Sequence, residues 1–283
     1  MNSSTDDFRS LRQLLPDDAF ALREEGQEPA LVIIPEQAWR GLFSLSDDVV
    51  LRTTGHQGSL AEHCWLVYGE FVNPIPLARA EESFVFEAMM DTADALQAAS
   101  FSALHGFYRQ AMGSLRGALE AVIVATRFSL ADDRAALAAF RYGPEPTPFI
   151  RFTRDLDRVA GHVRSQELAK VMGARPLAVG RTATRAGWAW DLYGVLSRYL
   201  HALPGATDGE IWRSNGPLWR PEVFALYIRL LRETLAVSLL VCALADPDLR
   251  LPDSIFEVIS SGDEEWLPAW KAGLAFLGGI EGR

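Results

Sequence analysis

From residue 60 onward, apolar positions recur mainly at three- and four-residue spacings, and no alternation of strand and helix patterns accompanies them. The expected elements are helices. Leu60–Phe71 predicts a helix that stops before Asn73-Pro-Ile-Pro76, because the residue ahead of a proline is pushed out of helical geometry. Leu77 to Gly143 contains no proline and is rich in alanine, leucine and methionine, which predicts one very long helix or two consecutive ones. Gly143-Pro-Glu-Pro-Thr-Pro148 ends that stretch. Further helices are expected near Phe149–Val171, from about Arg185 to Ala202, from Pro221 to Ala245 and over Asp263–Leu277. Pro221 suits a helix first turn, and Asp246-Pro247 halts the apolar run behind it.

The remainder is less regular. Residues 1–80 mix an acidic lead, Pro16 and Pro29, with Ala30-Leu-Val-Ile-Ile34, a candidate short strand. The reading is therefore an all-α protein: a helical bundle with long buried helices over 81–277, a small mixed N-terminal cap over 1–80, and a flexible tail over 278–283. Ile280-Glu-Gly-Arg283 in that tail matches a protease cleavage sequence. Leu203–Arg220, with its glycines, prolines, Trp212 and Trp219, is expected to be an ordered loop, and the ground beneath the two tryptophans is a candidate pocket for a small anionic ligand.

Phe101 to Phe128 carries the most information. At 100° per residue, Phe101, Leu104, Tyr108, Met112, Leu115, Leu119, Val122 and Thr126 share one face, which is assigned to the core. An adjoining surface of Ala103, Gln110, Ser114, Gly117, Ala121 and Val124 is small enough to accept another helix closely. All the charge is left to a narrow stripe holding Arg109, Gly113, Arg116, Glu120 and Arg127. A buried ion stripped of its partner costs about 3–5 kcal/mol, against about 5–15 kcal/mol for the stability of a whole domain. The stripe must therefore be neutralised. Arg116 has Glu120 one turn on, but no acid of its own helix can reach Arg109, so that partner is expected from Asp191 or Glu233, or from an anion in a wet groove. Arg229 and Glu233, four apart, are expected to pair.

The helix near Arg185–Ala202 has a packing face of Trp188, Leu192, Val195 and Tyr199. On another face Trp190, Tyr193, Gly194, Ser197 and His201 align, flanked by Asp191 and Arg198. Tyr193, Ser197 and His201 form a ladder of hydroxyls and an imidazole. An imidazole beside a guanidinium is what RNA cleavage without metal needs, one group moving the proton of a 2′-hydroxyl and the other steadying charge on phosphate. The plainer expectation is that His201 caps a helix end.

Charge sharpens this picture. The net charge of −10 conceals a basic middle: residues 101–201 hold thirteen arginines and one lysine against eight acids, a balance of +6, so the flanks are acidic. Such a surface attracts phosphate-bearing partners, although solvated helix faces also vary this much. Only Lys170 and Lys271 are lysines among the 27 basic residues, so nearly every cation can fork onto a carboxylate or phosphate. The start of the chain lacks a basic, apolar leader, and the longest run free of charge, amide and histidine, Thr234–Ala245, has 12 residues, so a cytoplasmic protein without a membrane span is expected. Cys64 and Cys242 are expected as buried thiols. The five histidines show no metal-ligand spacing, so neither metal nor cofactor is expected. Gly173 to Thr182 departs from a phosphate-binding loop in spacing and lacks its lysine, and no nucleophile-elbow or dinucleotide motif is present.

Tyr108-Arg109, Arg116 and Glu120, followed by Tyr193-x-x-Leu196-Ser197-x-x-x-His201, resemble the helical HEPN superfamily over roughly residues 101–245. The resemblance implies paired helices, a homodimer, RNA contact and, in catalytic members, metal-independent RNA cleavage, often in toxin or phage-defence systems. Arg198 and His201 would be the catalytic pair, His201 moving protons; Arg109, Arg116, Glu120, Tyr193 and Ser197 would contact RNA. In that superfamily four to six residues separate arginine from histidine, whereas two separate them here. The competing expectation is a non-enzymatic helical interaction protein whose charges pair internally.

Overall fold

The structure is a computed structural model and describes residues 44–143, 152–179, 187–201, 217–261 and 264–278. The candidate strand at 30–34, Trp212, most of the 203–220 loop and the 279–283 tail lie outside the described residues. Two compact units are present, Met1–Asp48 and Val49–Arg283. Among the described residues the regular elements are helices, with no sheet, which is the all-α bundle the apolar spacing predicts. They are α1 (Leu45–His56), α2 (Gly58–Val72), α3 (Phe86–Leu104), α4 (Tyr108–Leu130), α5 (Arg134–Tyr142), α6 (Phe152–Gly161), α7 (Val163–Met172), α8 (Trp188–Leu200), α9 (Pro221–Ala245), α10 (Asp253–Ile259) and α11 (Leu267–Leu277). No helix among them is long and apolar enough to cross a membrane.

The second unit is organised around α9. From Leu230 to Ala245 every residue but Glu233 is buried, and α2, α3, α4, α8, α10 and α11 all pack against it. An isolated 25-residue helix of this composition would expose apolar surface on all sides, so it is stable only when wrapped. Its Pro221 begins the first turn, as the sequence predicts, and α2 contributes Cys64, Val67 and Phe71 to the same core. Both thiols are free and buried. Burial pushes Cys64 up to about 12 and Cys242 upward as well.

Three local departures from the sequence reading shape the candidate site. First, Phe101 to Phe128 is not one helix: the chain turns at Gly106, which adopts φ +80°. A Cβ there would meet the Leu218 carbonyl oxygen at 2.4 Å, so both the conformation and the close approach require glycine. Phe101 consequently lies on the outer side of α3 and is 63% exposed, while the predicted core face begins at Tyr108 and continues through Met112, Leu115, Leu119, Val122 and Thr126. Second, the predicted small-residue surface is packed only in part, with Ala103 buried on α3 and Ser114, Ala121 and Val124 half-buried. Gln110 and Gly117 are exposed, and α4 instead buries Ala111, Ala118 and Ala125 against its neighbours. Third, the predicted helix at 149–171 is split into α6 and α7 at His162, whose ring nitrogen accepts from the Arg164 amide.

Candidate functional site

The charged stripe of α4 faces α8 and α6, the helices that pack beside it. Arg116 donates to Glu120 Oε1 from Nη2 at 3.0 Å and from Nε at 3.2 Å, and to the Tyr193 hydroxyl of α8 at 2.7 Å. Its guanidinium also sits 4.8 Å from the centre of the Tyr193 ring. That ring also stacks on Phe152 of α6, with centroids 3.8 Å apart and planes 10° from parallel. Burial, reinforced by the neighbouring Glu120 carboxylate, pushes the Tyr193 phenol up, and the Arg116 charge partly offsets it. This cluster joins three helices.

Arg127, about three turns beyond Arg116, reaches Asp155 of α6 at 2.9 Å. Asp155 has no solvent exposure, so the pair satisfies the rule that a buried carboxylate needs a cation. Nothing local marks Asp155 as that partner, and the sequence reading does not find it.

Arg109 is answered by main chain and not by an acid. Its Nε donates at 2.7 Å to the backbone carbonyl of Leu200, in the last turn of α8, where carbonyls have no helical partner. Neither Asp191 nor Glu233 serves it. Glu233 accepts from the Trp188 indole at 2.6 Å and lies 3.8 Å from Arg175, while the expected partner Arg229 acts on it through its charge without a close ion pair; burial raises its carboxyl above the ordinary range. Gly113 lets α8 approach, since a Cβ there would come within 3.1 Å of the Leu200 side chain.

The ladder on α8 is not continuous. Tyr193 is held by Arg116, the Ser197 hydroxyl oxygen is buried with no hydrogen-bond partner among the described residues, and His201 is the exposed C-cap, its amide bonded to the Ser197 carbonyl at 3.0 Å. Arg198 is exposed on the same last turn. Apart from Ser197, with its buried hydroxyl, the residues picked from sequence therefore divide into two sets of three. Arg116, Glu120 and Tyr193 are bonded to one another, whereas Arg109, Arg198 and His201 stand exposed where α4 begins and α8 ends.

That end of the bundle gathers more cations than the sequence reading assigned to it. The Leu218 amide donates to the Gly106 carbonyl at 3.3 Å, and the Tyr108 hydroxyl bonds to the Arg220 carbonyl, so the segment before α9 lies on the α3–α4 corner. This brings in Trp219 and Arg220. Arg52 and His56 of α1 pack on the Trp219 ring, at 5.9 Å and 5.0 Å. Arg220 pairs with Glu222 at 2.7 Å, and the first turn of α1 carries Asp47 and Asp48. Among the described residues no group of three or more His, Cys, Asp or Glu side chains is placed to hold a metal ion. No family model, no curated protein and no solved structure matches the chain.

Proposed function

We propose that this protein is a helical RNA-binding protein that meets phosphate through Arg109, Arg198 and His201, at the end of the bundle where α4 begins and α8 ends. One observation carries the reading. The stripe arginines in the interior are bound to Glu120, Tyr193 and Asp155, while Arg109, held by a main-chain carbonyl and by no acid, is exposed with Arg198 at converging helix termini. Cations left in solvent at one pole of an otherwise acidic chain give a local field that favours a polyanion. The resemblance of the α4 and α8 motifs to HEPN proteins points to the same partner. The reading assigns binding and not cleavage: the hydroxyls that would share a cleft with His201 are turned to Arg116 or inward, so His201 is assigned a phosphate contact.

The test is anisotropy of a labelled RNA titrated with the protein over 50–300 mM salt. Affinity should fall as salt rises, and the double variant Arg109→Ala/Arg198→Ala should bind more weakly with a shallower slope, by roughly 0.7–0.9 per lost phosphate contact. Incubation with RNA in chelator should leave it intact with wild type and His201→Ala alike. Absence of binding even at low salt would return the protein to the competing reading, a helical interaction protein whose charges serve only its own packing.

A further inference from the structure

We infer, resting on the RNA-binding reading, that the bound strand is single-stranded and that one of its bases stacks on Phe101. The starting observation is an aromatic ring where the core does not want one. Phe101 is 63% exposed on the side of α3 opposite its buried residues, and its ring lies 4.0 Å from that of His105 with the planes 33° apart. His105 is itself held, its Nδ1 2.8 Å from the Phe101 carbonyl oxygen. The pair is thus a fixed aromatic surface with one face open to solvent. It occupies the last turn of α3, directly before the Gly106 corner whose carbonyl receives Leu218 and after which Arg109 begins the charged stripe.

Chemistry selects the strand. In a duplex the bases are stacked on one another and a protein meets mostly phosphate and sugar, so an exposed phenyl ring has nothing to do. A single strand presents unstacked bases, which pair with aromatic faces regardless of sequence while arginines follow the backbone. Phe101 and His105 close α3 at the Gly106 corner, Arg109 opens α4 just after it and is bonded to the last turn of α8 that carries Arg198, and the Trp219–His56–Arg52 group sits on the same end, so both parts of that arrangement are present at one pole.

The experiment compares a labelled single-stranded RNA with the corresponding RNA duplex, using wild type, Phe101→Ala, Phe101→Trp and Arg109→Ala/Arg198→Ala. Expected results are tighter binding of the single strand, a loss of about tenfold in Phe101→Ala, recovery in Phe101→Trp, and no effect of Phe101→Ala on the duplex. Phe101 is exposed, so its replacement leaves the core intact. Equal binding of single strand by wild type and Phe101→Ala, or preference for the duplex, overturns the stacking assignment alone when the double arginine variant still binds less. No binding of either RNA by wild type overturns the RNA reading beneath it.

Discussion

At the scale of single residues, the partners of the stripe arginines decide what the protein can use for binding, and their legibility in the sequence differs for physical reasons. Arg116 and Glu120 stand one helical turn apart, so their pair is written in the spacing. Arg127 and Asp155 are 28 positions apart on different helices, and only the packing of α6 against α4 joins them. Arg109 is further out of reach of any reading by residue type, because its acceptor is a main-chain carbonyl that every residue possesses. Glu233 offers a test at this scale. With its carboxyl raised above the ordinary value of 4.5 by burial, the folded chain holds that proton more tightly than the unfolded one. Its contribution is fully present below about pH 4.5 and lost as pH climbs through the folded value. Glu233→Gln keeps an oxygen for the Trp188 indole and removes the charge. Thermal midpoints measured from pH 4.5 to 7.5 should therefore decline less with rising pH in the variant than in wild type. Parallel curves would show that Glu233 does not titrate in this window.

At the scale of elements, the ends of the long helices were legible where proline marks them and less so where the chain turns by other means. Pro221 and Asp246-Pro247 bracket α9 in the sequence as they do in the structure. The α3–α4 corner has no proline, and a single glycine turns the chain, so a continuous 100° projection carries Phe101 onto the core face when it lies outside. The α6–α7 break at His162 likewise has no strong local marker, and the seven-residue α10 is too short to show an apolar period although Pro252 stands directly before it. Glycines of these elements give paired expectations. Gly106→Ala places a Cβ against the Leu218 backbone in a left-handed conformation and should lower unfolding free energy by about 2 kcal/mol or more. Gly117→Ala meets no atom within 4 Å in the interior of α4 and should raise it by about 1 kcal/mol. Urea unfolding of the two variants measures both, and equal effects would refute the role assigned to the corner.

At the scale of the whole molecule, composition and apolar spacing were enough for an all-α bundle, because a chain with long helical apolar runs and no alternating pattern has few other ways to bury them. The meeting of four helix ends at one pole was not legible, since it depends on how α3, α4, α8 and α9 align in space. The sequence placed Arg109 with Arg198 and His201 through an assumed cleft; in the structure it is the Leu200 carbonyl that ties the two helix ends together. Arg52, His56 and Arg220 join that pole through Trp219 and Tyr108, contacts between positions more than 100 apart in the chain.

The position of α9 late in the chain has a consequence for synthesis. Helices made first must wait for a central post that emerges only after residue 220, with their greasy flanks uncovered in the meantime. A product ending at residue 220 should accumulate in the insoluble fraction and bind a dye that reports exposed apolar surface, whereas the full chain stays in solution without such signal. A soluble, cooperatively melting 1–220 fragment would mean that the earlier helices find another way to cover one another.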